Sequence, residues 1–291
     1  MKHSLSENIF NIFNILFMLL VIVITLYPLY YVLCASFSNN SLLSASPGFL
    51  FKPLGFNAGA YTLAFKHPLL LSGYKNILLI LVFALPLNII MTLFCGYFMA
   101  AKNVMFKKYI VAFFMVTMFF NGGLIPSFLN QKSLGLYNNL WALIIPSALS
   151  LYNAIIMKTA IEQIPDALME SAYIDGAGDI VIMFRIITPL IIPTMAVMLL
   201  YYGVGHWNSW FPATIYIKDS RLLPLQVILR SLLIENSDIL NSSVESEDTI
   251  NRYAESIKYS SIIISTVPVL CVYPFLQKYF VKGVMIGAIK G

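Results

Sequence analysis

Six long apolar runs, separated by short polar segments, dominate this sequence. They cover about residues 9–34, 74–100, 109–129, 138–159, 187–211 and 258–281. Each approaches or exceeds the roughly 20 apolar residues that carry a helix across a bilayer. The runs are continuous rather than alternating, which disfavours the strands of a barrel. In lipid every backbone amide needs an internal partner, so helices are the default. The third run is broken by Asn121-Gly122-Gly123 and Pro126. The pattern predicts an all-α membrane protein of six transmembrane helices, forming one membrane domain over residues 1–291. The intervening polar stretches fall at 35–73, 121–137, 160–186 and 212–257.

Composition agrees with lipid as the solvent. The chain is 59% apolar and 11% charged, against about 25% charged in soluble domains, and its mean hydropathy is +0.81. Acidic residues are clustered: none lies between Glu7 and Glu162, five fall within 162–179, and seven lie from Asp219 to Glu255. The net charge of +5 is spread over span ends, so it gives no nucleic-acid footprint. Lys102, Lys107 and Lys108 crowd the turn between the second and third runs, and Lys278, Lys282 and Lys290 follow the sixth. Basic residues mark the cytoplasmic side. Both termini and the 160–186 loop are then cytoplasmic, and 35–73, 121–137 and 212–257 lie outside. With Lys258 at its edge, that last loop holds five basic and seven acidic residues, which suits an outer face. The first run is too long for a cleaved signal and lacks a small-residue cleavage site, so it reads as a retained span. Cys34, Cys95 and Cys271 sit in apolar runs with no metal or disulfide spacing, and are expected to be buried.

The 160–186 loop carries the chemistry. Pro165 suits a first helical turn, Asp166 and Glu170 suit the positive end of a helix dipole, and Gly176 suits a left-handed stop. A short helix is expected over about 166–175, followed by the Gly176-Ala177-Gly178 turn. Leu168 and Ala172 share one face and Met169 and Tyr173 the adjacent one, giving an apolar knob flanked by carboxylates, including Asp175. The spacing Glu170, Ala172, Gly176, Ile186, Pro189 resembles the E-A-A…G…I-x-L-P signature of bacterial ATP-binding-cassette importer permeases. Ser171 and Thr188 depart from it. The resemblance implies the type I ABC importer permease fold and makes this loop a coupling helix docked on an ATP-hydrolysing subunit. It places Glu170 against the ATPase, Ala172 on the docking face and Gly176 at the sharp turn.

Other segments are similar to sugar-importer permeases related to the maltose system. They are Ser127–Asn130, Leu134–Leu136, Gly205–Phe211, Pro224–Arg230 and the ending of the chain. That resemblance extends to the branch importing complex oligosaccharides, including pectin- and alginate-type fragments. By it the tail 282–291, with Gly283, Gly287, Lys290 and Gly291, reaches a second ATPase contact. The implied partners are a second homologous permease, a dimer of cassette ATPases holding ATP and Mg, an extracellular solute-binding lipoprotein, an oligosaccharide and membrane lipid. The implied location is the bacterial cytoplasmic membrane. The chain itself has no G-x-x-x-x-G-K-[ST] loop, no expected cofactor, no metal site and no catalytic residue.

Polar groups inside spans face protein or cavity rather than lipid. Tyr202, His206, Asn208, Asn88, Asn121 and Asn153 are therefore candidates for lining a passage, and aromatic planes with amides suit sugars. Intramembrane ionisable pairs, expected of a proton-coupled carrier, are missing. The reading is thus an ATP-driven oligosaccharide permease subunit working by alternating access. A stand-alone carrier or channel, and a docking or sensor subunit without flux, are the alternatives.

Overall fold

The computed structural model describes residues 5–46, 48–102, 104–238, 256–272 and 274. Among them all regular structure is helical. The described residues divide into two compact units, one holding those up to Leu70 together with Leu229–Asp238 and Ser256–Val267, the other holding Leu71–Ile228 and those from Pro268 on.

In the first unit, α1 (Leu5–Ser36) is 32 residues long, roughly 48 Å at 1.5 Å per residue, and so exceeds the ~30 Å hydrocarbon core. Its side chains from Glu7 to Tyr30 are almost all exposed. A helix apolar on every side, with no core of its own to meet, belongs in lipid. Thr25 satisfies its hydroxyl on the Val21 carbonyl at 2.8 Å. Only the last turns pack: Cys34 and Ala35 bury against Leu43 of α2 (Asn40–Ala45) and Leu50. Tyr31 meets Tyr259 edge-on at 5.9 Å, and the Ser256 hydroxyl donates to the Ser38 carbonyl at 2.9 Å. These tie the helix Ser256–Val272 to the end of α1. Tyr61 of α3 (Gly59–Lys66) bonds Ser36 Oγ at 2.8 Å. Cys34 is buried as expected, but Cys271 is exposed; on an apolar helix a cysteine can face outward with its neighbours.

The second unit begins with α4 (Leu70–Ala100), 31 residues long. α5 (Lys107–Phe119) and α6 (Leu124–Ser133) follow and bend by 115°. The bend has a local cause: Asn121 Oδ1 accepts the Gly123 amide at 2.9 Å, and Gly123 sits at φ +87°, a region glycine enters freely. The stretch expected as one span over 138–159 contains two helices, α7 (Trp141–Ile144) and α8 (Leu151–Glu162). Pro146 cannot donate into a continuous helix, and Ser150 accepts the Asn153 amide at 3.4 Å as the cap of α8. α9 (Asp166–Ile174) comes next. α10 (Asp179–Val181) then runs through a π-helical turn, Ile182–Ile187, into α11 (Thr188–Leu190). α12 (Ile192–Trp207) leaves at 85°. Pro189 lacks an amide and its ring crowds the preceding carbonyls. The widened turn accommodates it, and the Thr188 hydroxyl donates to the Met183 carbonyl, five residues back, at 2.8 Å. α13 (Phe211–Tyr216) and the short turn Ser220–Leu222 follow, and α14 (Leu225–Asp238) starts in this unit and belongs to the first from Leu229 onward.

By length and apolarity α1 and α4 each qualify to cross a membrane, and the two bent pairs raise the count to as many as four among the described residues. The run 258–281 is only partly described. The core of the second unit gathers Leu93 from α4, Met157 and Ile161 from α8, Ile182 and Ile187 from the π-turn, and Met198 from α12. α4 and α8 approach closely at Gly96. A Cβ there would lie 2.8 Å from Met157 Cγ and 3.2 Å from the Lys158 amide nitrogen, so only a residue without one lets these backbones meet.

Candidate functional site

Two features of the second unit concern function, a polar cavity and the loop around α9. The cavity, of about 670 Å³, is bounded by α6, the α7–α8 connection, α12 and the start of α13. Tyr202, His206 and Asn153 line it. Asn88, fully buried on α4, stands behind the wall and fixes two of its parts. Its Nδ2 donates to the Ser147 carbonyl at 2.6 Å, and its Oδ1 lies 3.0 Å from His206 Nε2. The Tyr202 hydroxyl accepts the Ser150 amide at 2.9 Å and shares a 2.7 Å bond with Thr92. Tyr202 is thus a brace across α4, α8 and α12 more than an open sugar contact. Two candidates are elsewhere. Asn208 is the exposed cap of α12, and Asn121 is exposed in the α5–α6 bend; each serves a local turn. Gln131, which sequence reasoning missed, lines the cavity at 8% exposure, and its Oε1 has no hydrogen-bond partner. It lies on a short polar helix with no apolar run to mark it as internal.

The loop around α9 forms a compact turn. Pro165 is its N-cap rather than its first helical residue, with ψ 131°, and Asp166 occupies the first turn. The Ala177 amide donates to the Ala172 carbonyl at 2.9 Å and the Gly176 amide to that of Tyr173 at 3.0 Å. This is the paired closure of a Schellman motif. Gly176 at φ +79° supplies the left-handed residue it needs. Gly178 has ordinary extended backbone, φ −80°, and nothing there requires glycine.

The expected docking knob is corrected on one point. Ala172 is 7% exposed and, with Met169, joins the core around Ile161, Ile164 and Ile182. Spacing places residues on a common face but does not say which face the protein covers. The outward side chains are Leu168, Glu170, Tyr173 and Ile174, the last 86% exposed; Asp175 caps the helix, exposed.

The end of α4 holds this loop. Lys102 pairs with Asp166 at 2.5 Å, an exposed contact of small energetic weight. Asp179 Oδ1 accepts the Tyr173 hydroxyl at 2.6 Å and the Tyr97 hydroxyl at 2.8 Å. These donors, Tyr173 first, hold the Asp179 carboxyl below the usual carboxylate range. The same bond pushes the Tyr173 hydroxyl up, so it remains a donor at neutral pH. Tyr97 and Asp179 were not candidates; residues 82 apart carry no common local signal. The tail residues Gly283, Gly287, Lys290 and Gly291 lie outside the described residues. Among the described residues no cluster of three or more His, Cys, Asp or Glu could hold a metal ion.

No protein-family model matches the chain. It is 35% identical over 267 residues to the polygalacturonan/rhamnogalacturonan transport system permease protein YtcP of Bacillus subtilis, covering 91% of this chain and 92% of that one. In fold it matches a chain of a bacterial ABC transporter involved in the import of the acidic polysaccharide alginate. That match has a TM-score of 0.84 and 29% identity over 96% of this chain and 99% of the other. The chain belongs to the permease family of sugar ABC transporters. The permease is also 37% identical over 270 residues to the protein LplC of Bacillus subtilis, covering 91% and 89% of the two. It is therefore a membrane-embedded transporter subunit and not an enzyme, with ATP hydrolysis in a separate chain.

Proposed function

We propose that this permease is the transmembrane subunit of an importer for oligosaccharides released from polysaccharides. It spans the bacterial cytoplasmic membrane six times with both termini inside. A second homologous permease completes the passage, since one chain of six spans does not enclose a route for an oligosaccharide. Two cassette ATPases, binding ATP and Mg, dock from the cytoplasm, and a solute-binding lipoprotein delivers the sugar to the outer loops. Asp166, Leu168, Glu170, Tyr173 and Asp175 face the ATPase, and the tail around Gly283–Gly291 makes the second contact. ATP binding draws the motor subunits together, and the loop around α9 passes that movement to the spans.

The observation that carries this reading is the match to YtcP along nearly the whole chain. The outward Leu168–Glu170–Ile174 surface on a helix closed by Gly176 supports it. Purifying the permease from its native membrane with associated proteins, then assaying sugar-stimulated ATP hydrolysis, tests it. Co-purification of a second permease and a cassette ATPase is expected. Glu170→Ala should abolish uptake while the chain still inserts in the membrane. Transport by the permease reconstituted alone would refute the coupling role.

A further inference from the structure

The cavity of the second unit has a polar wall. The residues lining it include no Asp, Glu, Lys or Arg, and His206 is engaged with Asn88. Ser127 donates its hydroxyl hydrogen to the Gly123 carbonyl at 2.7 Å, and Ser147 donates to the Leu143 carbonyl at 2.8 Å. Their oxygens can therefore offer the cavity only lone pairs. Gln131 Oε1 is a third acceptor, buried and without a partner. Such an atom carries a desolvation cost until a donor reaches it. Tyr201, half exposed at the rim, adds an aromatic surface of the kind that accepts C–H faces.

The wall also carries donors, among them the Asn153 amide and the Tyr201 hydroxyl, but no lysine or arginine, so it suits an uncharged polar ligand over an anion that would be buried without a counter-charge. Sugar hydroxyls donate, whereas a uronate carboxylate only accepts and meets no cation here. We propose that this cavity is a sugar subsite within this subunit, with Gln131 Oε1 receiving a hydroxyl, and that it takes a neutral sugar unit in preference to a uronate. The inference rests on the oligosaccharide-import reading. It identifies the part of the substrate that this chain contacts, and leaves any carboxylates to other subunits.

The test uses the complete transporter in proteoliposomes with its binding protein and ATP. The probes are neutral galactotriose, arabinotriose and a galacturonate trisaccharide. Gln131→Met keeps the side-chain length and removes a buried unsatisfied oxygen. A purely structural Gln131 therefore predicts equal or higher thermal stability with uptake unchanged. The subsite predicts the same stability with uptake of a carried neutral sugar, at sub-saturating concentration, down about tenfold. Gln131→Glu retains an acceptor. It should restore neutral-sugar uptake to within about threefold of the native protein, while lowering the uptake of any carried uronate. Native-like transport by Gln131→Met, or equal loss in both variants for neutral and charged sugars, would overturn the subsite and leave the importer reading standing. Failure of the native complex to carry any probe would overturn both.

Discussion

Replacing Tyr202 with Phe separates bracing from sugar contact. The substitution leaves ring volume unchanged and deletes a hydroxyl placed 2.9 Å from the Ser150 amide and 2.7 Å from Thr92 Oγ1. Thr92 is fully buried, but a threonine in a helix can turn its hydroxyl back to the carbonyl four residues earlier. The Ser150 amide has no such alternative, though it borders the cavity, where water can reach it. The loss therefore reduces to about one orphaned donor, about 1–2 kcal/mol. For a chain of this size that lowers the thermal midpoint by about 2–3 °C. The assay is the unfolding midpoint of the detergent-solubilised complex, alongside uptake at matched protein. Both hydrogen bonds of the hydroxyl are made to protein groups, so per-molecule uptake should stay within about twofold of native. The double variant with Thr92→Val should be less destabilised than the sum of the single changes, because residues sharing a bond are not additive. An unchanged midpoint, or strict additivity, would refute the brace. Uptake falling tenfold at an unchanged midpoint would restore Tyr202 as a sugar contact.

Other expectations follow from particular residues. Gly176→Ala forces a side chain into φ +79°, costing about 1–2 kcal/mol, and should lower uptake without reducing membrane insertion. Gly178→Ala, at an extended backbone with no atom near its Cβ, should behave as native; equal effects from both would remove the special status of Gly176. The Asp179 carboxyl titrates below its ordinary value because Tyr173 and Tyr97 donate to it. Its contribution is full above the unfolded pKa near 3.9 and disappears only as pH falls through the lower folded value. Sugar-stimulated ATPase should then be flat from this group's titration between pH 5 and 8, and Asp179→Asn should weaken coupling across that whole range. A native loss of coupling between pH 7 and 5 that Asp179→Asn removes would contradict this. Gly96→Leu drives a side chain into Met157 and the α8 backbone. Beyond the usual 1–3 kcal/mol of overpacking, it should reduce assembled complex, read as the yield of co-purified partner subunits.

Local chemistry was the legible part of this chain. Pro165, Asp166 and Gly176 act through their own backbone and dipole preferences, so the ends of α9 could be read to within a residue. Continuous apolarity likewise announced α1 and α4. What needed the folded chain was direction. Ala172 is buried in the core although Leu168, four residues before it, is exposed, because i, i+4 spacing fixes neighbours and not the side that meets the core. Pro146 inside an apolar run gave less weight than it carried, and the run split into α7 and α8. Polarity within a span did point inward for Asn88, Asn153 and His206, as lipid demands. The same rule did not place Asn121 and Asn208 at the cavity: both are exposed, and Asn121 accepts the Gly123 amide in its own turn.

The cavity and the loop around α9 share one helix. Along α4, Asn88 and Thr92 brace the cavity wall through Ser147, His206 and Tyr202. One turn on, Gly96 seats α8, and α8 leads directly into α9. Tyr97 and then Lys102 hold Asp179 and Asp166 on either side of α9. Thr92 and Tyr97 are five residues apart, roughly 7.5 Å along the helix, and Lys102 follows just beyond its end. Packed interiors transmit displacement because they have few voids to absorb it. A movement of α9 therefore has a continuous route to the cavity wall, through groups that are bonded or in van der Waals contact at every step. The exposed Lys102–Asp166 pair adds little to that route. The two tyrosine hydroxyls on one carboxylate oxygen are its charge-assisted joint, and Gly96 is where it would be interrupted by a single added side chain.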